Sequence, residues 1–168
     1  MSKYSNISLK IYDRAELKIQ VKKWNDAGKK VVFTNGCFDL LHRGHVDYLA
    51  KASDLGDILI LGLNTDASVS RLKGIHRPIQ DEQSRLHIIA SLAFVDAVVL
   101  FDEPTPLALI ELVQPDVLVK GSDYQPQDII GYDVVMAKGG SVKTIDYMEG
   151  YSTSLIEKKI KEIQNPNR

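Results

Sequence analysis

The chain has 168 residues, 44% hydrophobic and 26% charged, which fits one soluble globular domain with a sizeable core. A formal net charge of −1 excludes a global basic field drawing the chain to nucleic acid or membranes, so a polyanionic ligand has to be met by a local cluster of positive groups. The single cysteine, Cys37, cannot form an internal disulfide, no apolar run approaches the roughly 20 residues of a membrane span, and MSKYSNISLK lacks the apolar core of a signal peptide, so a cytoplasmic protein is expected.

In chain order, Asp13 and Glu16 stand at capping-box spacing before Leu17, Val21 and Trp24, which share one helical face ending at Gly28. The first strand is expected at residues 30–34 (KVVFT). A second helical stripe follows in Val46, Leu49, Ala50 and Ser53, ending near Gly56. The second strand, residues 57–63 (DILILGL), leads into a polar loop, RLKGIHRPIQ, and then a third helix with Leu86, Ile89, Ala90 and Ala93. The third strand is residues 95–101, and Thr105-Pro106 forms an N-cap and N1 pair for a fourth helix burying Leu107, Ile110 and Val113. Residues 116–120 and 141–145 complete five strands, with a short helix around Ile129, Ile130, Asp133 and Val134 between them. Ser152 caps a last helix presenting Leu155, Ile156, Ile160 and Ile163, and residues 165–168 are expected to fray.

Near-continuous apolar strands alternating with helices predict a doubly wound, five-stranded parallel sheet in an α/β domain. Residues 1–29 form an N-terminal extension and leading helix packed on the domain of residues 30–168. No internal repeat or long linker interrupts the chain.

Ligands of such sheets bind beyond the carboxyl ends of the strands. Polar and small residues gather there: Asn35, Gly36, Cys37, Phe38 and Asp39 after the first strand, then His42 and His45. Asn64, Asp66 and Lys73 follow the second strand, Lys120, Gly121 and Asp123 the fourth, and Ser152, Thr153 and Ser154 the fifth. In His42-Arg43-Gly44-His45, both imidazoles project from one side of a first helical turn, and Gly44 leaves room for a group to approach the backbone. A helix N-terminus adds N–H groups and partial positive charge, so phosphate oxygens suit this place better than a cation. One histidine pair with one distant cysteine is a poor zinc set, and no metal ligand is assigned. Cys37 has no evident base to activate it as a nucleophile. Arg71, Lys73 and Arg77 make a cationic flap that suits a triphosphate, and Arg85 falls early in the next helix. Neither G-x-x-x-x-G-K-[ST] nor G-x-G-x-x-G after a strand is present, which removes the main support for Walker-type NTPase and dinucleotide dehydrogenase readings.

With these residues placed, the chain resembles the H-x-G-H nucleotidyltransferase superfamily, nearly collinearly from Val31 to about Ile160, through FTNGCFDLLHRGHVDYL, GDILILGLNTDASVSRLKG, RPI, VDAVVLFDEPTPLALIELVQPDVLVKGSDY and EGYSTSLIEKKI. Within it the chain is most similar to the adenylyltransferase domain of bacterial ADP-heptose synthesis. That resemblance implies a Rossmann-like nucleotidyltransferase fold and transfer of AMP from ATP to D-glycero-D-manno-heptose 1-phosphate for lipopolysaccharide core assembly. It also implies Mg²⁺ with the ATP, a homodimer, and a separate heptose kinase upstream. His42, His45 and Lys73 are then catalytic. Nucleotide binding falls to Asn35, Gly36, Cys37, Phe38, Asp39, Gly44, Lys120, Gly121, Ser152, Thr153 and Ser154, and the sugar phosphate to Asn64, Asp66, Arg77, Arg85 and Asp123. The cytidylyltransferase branch, acting on glycerol 3-phosphate or another polyol phosphate, is the alternative. Its closing motif resembles R-T-E-G-I-S-T-T, whereas this chain has Tyr147 in place of the arginine, a departure that favours the heptose branch. A non-catalytic nucleotide-binding regulatory module is the alternative of another class.

Overall fold

A computed structural model describes residues 2–164; the fraying expected at residues 165–168 lies outside them. Six strands form one parallel sheet: β1 (Ile11–Tyr12), β2 (Val31–Gly36), β3 (Ile58–Asn64), β4 (Ala97–Phe101), β5 (Val117–Gly121) and β6 (Ser141–Ile145), in the order β1-β4-β3-β2-β5-β6. The sixth strand corrects the expected five. Ile11 and Tyr12 pair with Val98 and Val99 of β4, and two residues are too few to carry a readable period.

Strand starts shift by one or two residues for a common reason. Aspartates expected inside strands turn their carboxylates onto neighbouring backbone N–H groups: Asp57 accepts from Lys30 (2.8 Å), Asp116 from Val31 (2.7 Å) and Asp96 from Leu59 (2.8 Å). Each strand therefore begins after its aspartate, and the amino ends of β2 and β3 are pinned to their neighbours.

Helices cover both faces. On one, α3 (Arg43–Ser53) and α5 (Glu82–Ala90) bury Tyr48, Leu49, Ala52, Leu86 and Ile89 against Val32, Leu61, Val98 and Val119. On the other, α2 (Arg14–Asp26), α6 (Leu107–Val113) and α7 (Tyr132–Ala137) bury Leu17, Val21, Leu109, Ile110 and Val135 against Phe33, Ile60, Val99 and Leu118. The expected capping box forms on α2, where Asp13 accepts from the Glu16 N–H (2.8 Å) and Glu16 from the Asp13 N–H (3.1 Å). Trp24 packs edge-on to Tyr12, at 6.3 Å between ring centroids.

Two helices were not expected: α1 (Lys3–Ser8) and α4 (Asp66–Lys73). The basic loop is accordingly shorter than RLKGIHRPIQ. Arg71, Leu72 and Lys73 form the last turn of α4, which the Thr65 hydroxyl caps by accepting from the Ser68 N–H (3.1 Å) and Gly74, at φ +98°, ends. Pro106 rather than Thr105 is the N-cap of α6, Ala93 lies beyond α5, and Ile129 and Ile130 precede α7, the first buried and the second exposed. The closing helix α8 (Thr153–Gln164) buries none of its residues; Leu155, Ile160 and Ile163 are exposed. No helix among the described residues is long and apolar enough to cross a membrane.

Candidate active site

The carboxyl ends of β2 and β5, the start of α3 and the end of α4 surround a cavity of about 430 Å³. Of the residues singled out in the sequence, Asn35, Gly36, Cys37, Phe38, Asp39, His45, Lys73, Lys120, Gly121, Asp123 and Thr153 line it. The turn after β2 is tight. Phe38 takes a left-handed φ of +44°, a conformation that costs a non-glycine residue about 1 kcal/mol or more, and its ring lies where a Cβ at Gly36 would come within 2.8 Å. That ring then meets His45 edge-on, at 5.1 Å between centroids.

His42 is the N-cap of α3, but its side chain makes no capping bond, so the helix's first N–H groups receive no acceptor from it. The His42 and His45 rings instead stack at 3.8 Å and 19°. Burial, then His42 and Lys73, pulls His45 down to about 4, and burial lowers His42 as well. At neutral pH the pair is thus uncharged. Nδ1 of each ring is buried without a hydrogen-bond partner, as is Oδ1 of Asn35. Buried polar atoms are ordinarily satisfied, so the unsatisfied atoms of His45 and Asn35, which line the cavity, mark places for a polar ligand, whereas His42 stacks on His45 without lining the cavity itself.

Two lysines supply charge. Lys73 is exposed at the end of α4 and lines the cavity. Lys120 donates to the Asn35 carbonyl (3.4 Å), and burial pulls its amine down to about 8. Cys37 donates weakly to Asn64 Oδ1 (3.8 Å), and burial pushes its thiol up, away from the reactive thiolate.

Behind the cavity the polar groups are paired with one another. Arg85 is fully buried, and its guanidinium donates to the Gln80 carbonyl (3.1 Å), the Cys37 carbonyl (2.7 Å) and Asp66 (2.7 Å). It braces the site from behind and has no exposed surface for a substrate, which corrects its assignment as a direct contact. Asp66 is held in that pair, and its backbone N–H donates to Glu82 (2.9 Å). Asn64 is buried and donates to Ser68 (2.9 Å). Asp39 accepts from Arg77 (2.6 Å) and from the N–H groups of Ile79 (2.8 Å) and Gln80 (3.0 Å). Burial opposes its ionisation, yet those donors hold it below the usual carboxylate range. The other arm of Arg77 engages Glu157 of α8, so both ends of this guanidinium are occupied within the protein.

At the closing helix the three hydroxyls separate. Ser152 caps α8 by accepting from the Leu155 N–H (3.1 Å), Thr153 lines the cavity, and Ser154 is exposed. The room expected over Gly44 is filled from within the chain, since a Cβ there would stand 3.1 Å from the His42 ring and from Tyr151 Cβ. Tyr151 in turn accepts from Arg43 (3.2 Å) and lies under its guanidinium. Three tyrosines complete the cavity wall beyond those singled out for the site: Tyr48, Tyr124 and Tyr147. Tyr147 lies over Gly121 so closely that a Cβ at position 121 would be 2.0 Å from its hydroxyl. Only Tyr147 carried a signal, as the departure from the arginine of the related motif. Tyr48 reads as an ordinary residue of the buried α3 face, where it hydrogen-bonds Thr34 (2.8 Å).

Comparison with known proteins agrees with this architecture. The family model described as cytidylyltransferase-like matches residues 33–159. The bifunctional protein HldE of Citrifermentans bemidjiense is 59% identical over 140 residues, covering 83% of this chain and 29% of that protein. HldE of Magnetococcus marinus is 54% identical over 151 residues, covering 90% of this chain and 31% of its own length. The chain thus spans about a third or less of these curated relatives. A crystal structure of the lipopolysaccharide core biosynthesis protein from Thermoplasma volcanium is 30% identical, with a TM-score of 0.59 over 74% of this chain and 100% of that one. A family match across most of the chain, on a parallel α/β sheet with its cavity at the strand ends, leads to one conclusion: the chain belongs to the cytidylyltransferase-like family of nucleotidyltransferases.

Proposed function

We propose that this chain is the adenylyltransferase that joins AMP from ATP to D-glycero-D-manno-heptose 1-phosphate, giving ADP-heptose and pyrophosphate. The observation that carries the reading is His45, which lines the cavity with Lys73 and Lys120, stacks on His42 and keeps a buried Nδ1 without a partner. A sugar-phosphate oxygen attacks the α-phosphorus of ATP in line, the bond to the bridging oxygen of the β-phosphate breaks, and pyrophosphate carries that electron pair away. The attacking oxygen is already anionic, so the chain needs positioned donors and cations more than a base. His42, His45 and the first N–H groups of α3 hold the ATP phosphates. Lys73 reaches the transition state from the end of α4, and Thr153 meets the outer phosphates. Lys120, with Asn35, Gly36 and Phe38, forms the nucleotide wall. Asp123 accepts from sugar or ribose hydroxyls.

Mg²⁺, if bound together with the ATP, would supply further positive charge to the developing phosphate charge. Among the described residues, no cluster of three or more His, Cys, Asp or Glu side chains could hold a metal ion. The similarity to the bifunctional HldE proteins and to the lipopolysaccharide core biosynthesis protein of Thermoplasma volcanium supports the heptose substrate. The kinase step that makes heptose 1-phosphate is an activity separate from the one these residues carry. The enzyme works in the cytoplasm as a homodimer, with residues 1–29 packed on the transferase domain.

Pyrophosphate release, measured with ATP, CTP or GTP against heptose 1-phosphate or glycerol 3-phosphate, tests this reading. Turnover is expected with ATP and heptose 1-phosphate. Turnover confined to CTP and glycerol 3-phosphate assigns the chain to the cytidylyltransferase branch, and nucleotide binding without pyrophosphate release makes it a regulatory module.

A further inference from the structure

Helix α8 carries Thr153 to the cavity although it buries no residue of its own. Its apolar packing is confined to the half-buried Ile156, so polar contacts carry much of its attachment. The Arg43–Tyr151 contact lies just before the helix. Within the helix, Glu157 meets the guanidinium of Arg77. That guanidinium is only 17% exposed, and its other arm is fixed 2.6 Å from Asp39, whose side chain is 1% exposed and belongs to the turn beneath the cavity. Asp39 also accepts two backbone N–H groups of the loop that carries Arg77. One arginine between two carboxylates thus joins the loop after α4 to the turn after β2 and to the closing helix, and the last two line the same cavity through Asp39 and Thr153.

We propose that Arg77 is a positioning residue: bridging Asp39 and Glu157, it docks α8 and sets Thr153 against the bound nucleotide. This rests on the reading that the cavity takes ATP. The guanidinium donates a hydrogen bond to Asp39 and stands in ionic contact with Glu157, so its charge is shared between two carboxylates in a partly buried setting where screening is weak. Asp39 is the fixed end and Glu157 the releasable one, since Glu157 belongs to the helix with no buried residue while Asp39 keeps its backbone donors.

Glu157→Gln is the cleaner variant, because replacing Arg77 also strips a buried carboxylate of its counter-ion. Arg77→Lys keeps the charge and serves as the conservative comparison. Hydrogen–deuterium exchange of α8 amides in the ligand-free chain, with Mg-ATP titration and steady-state kinetics, reads the effect. Glu157→Gln is expected to speed α8 exchange and raise both Kd and KM for ATP by about tenfold, corresponding to about 1.4 kcal/mol. Amides of the central strands should stay protected, and kcat at saturating ATP should stay within about twofold, a split that general loss of structure would not give. Arg77→Lys should fall between wild type and Glu157→Gln. Unchanged α8 exchange in Glu157→Gln overturns the proposal, and so does faster exchange with unaltered ATP affinity. A wild-type chain that binds no ATP defeats the nucleotide reading itself, and the positioning role falls with it.

Discussion

The back and the front of the cavity are built from similar polar residues in opposite states. At the back, Arg85, Asp66 and Asn64 spend their hydrogen bonds on neighbouring side chains and backbone carbonyls, and Asp39 on the cavity floor is likewise satisfied by Arg77 and two backbone N–H groups. At the front, His42, His45 and Asn35 each keep a buried polar atom without a partner, and Lys73 stands exposed. A satisfied network stabilises the fold, whereas an unsatisfied one costs folding free energy that a ligand can return. The contrast separates residues whose polar atoms are spent within the protein from those whose polar atoms remain free for a ligand, though all lie near the same strand ends.

The most direct way to break this contrast is to remove a front group. His45→Ala should lower kcat by about 10²–10⁴, corresponding to about 3–5 kcal/mol of transition-state stabilisation, with thermal unfolding nearly unchanged. Near-normal turnover would remove His45 from the chemistry. At the back the effect should move from rate to stability. Arg85→Leu leaves two carbonyls and Asp66 without their donor and should cost roughly 3 kcal/mol, lowering Tm by roughly 6–12 °C. A stable Arg85→Leu protein with a raised sugar-phosphate KM would return Arg85 to the substrate.

Lys120 sharpens the comparison through pH. Its depressed value, about 8, means the amine is charged below that pH and neutral above it. As pH rises through about 8 the free enzyme loses a cation from the cavity wall, so kcat/KM for ATP should fall there. Lys120→Gln should have lower kcat/KM and lack that limb; an identical limb in the variant would assign it to another group. The smallest effect belongs to the hydroxyls of α8. Ser152→Ala should loosen the helix start by about 1 kcal/mol, seen in amide exchange, whereas Ser154→Ala should change stability by less than about 0.5 kcal/mol. A loss of ATP affinity in Ser154→Ala beyond that of Thr153→Ala would reverse the roles given to these neighbours.

Much of the architecture is legible in the chain because the central strands are continuous apolar runs and the helices between them carry apolar stripes. The elements that escape such reading are those held by tertiary contacts. β1 is two residues stitched to β4, and in α4 Val69 is the one buried hydrophobic residue, with Leu72 exposed. The site follows the same division. Cavity residues at the ends of β2 and β5 could be located because a parallel sheet puts its ligands there. Arg77 and Arg85 stand in equally suggestive places, but a cation aimed at a carboxylate of its own chain has the same letter as one aimed at a phosphate. Tyr48 escaped for a related reason, since a buried helix-face tyrosine reads as packing until the cavity beside it is seen.

Gly121 has a consequence for how such a cavity can be retuned. Its missing side chain lets Tyr147 lie flat over the end of β5 and form a wall, and a single methyl group at 121 would turn that exposed ring outward. Any side chain larger than hydrogen at 121 therefore reshapes the wall that Tyr147 forms, and the two positions are coupled in that part of the opening.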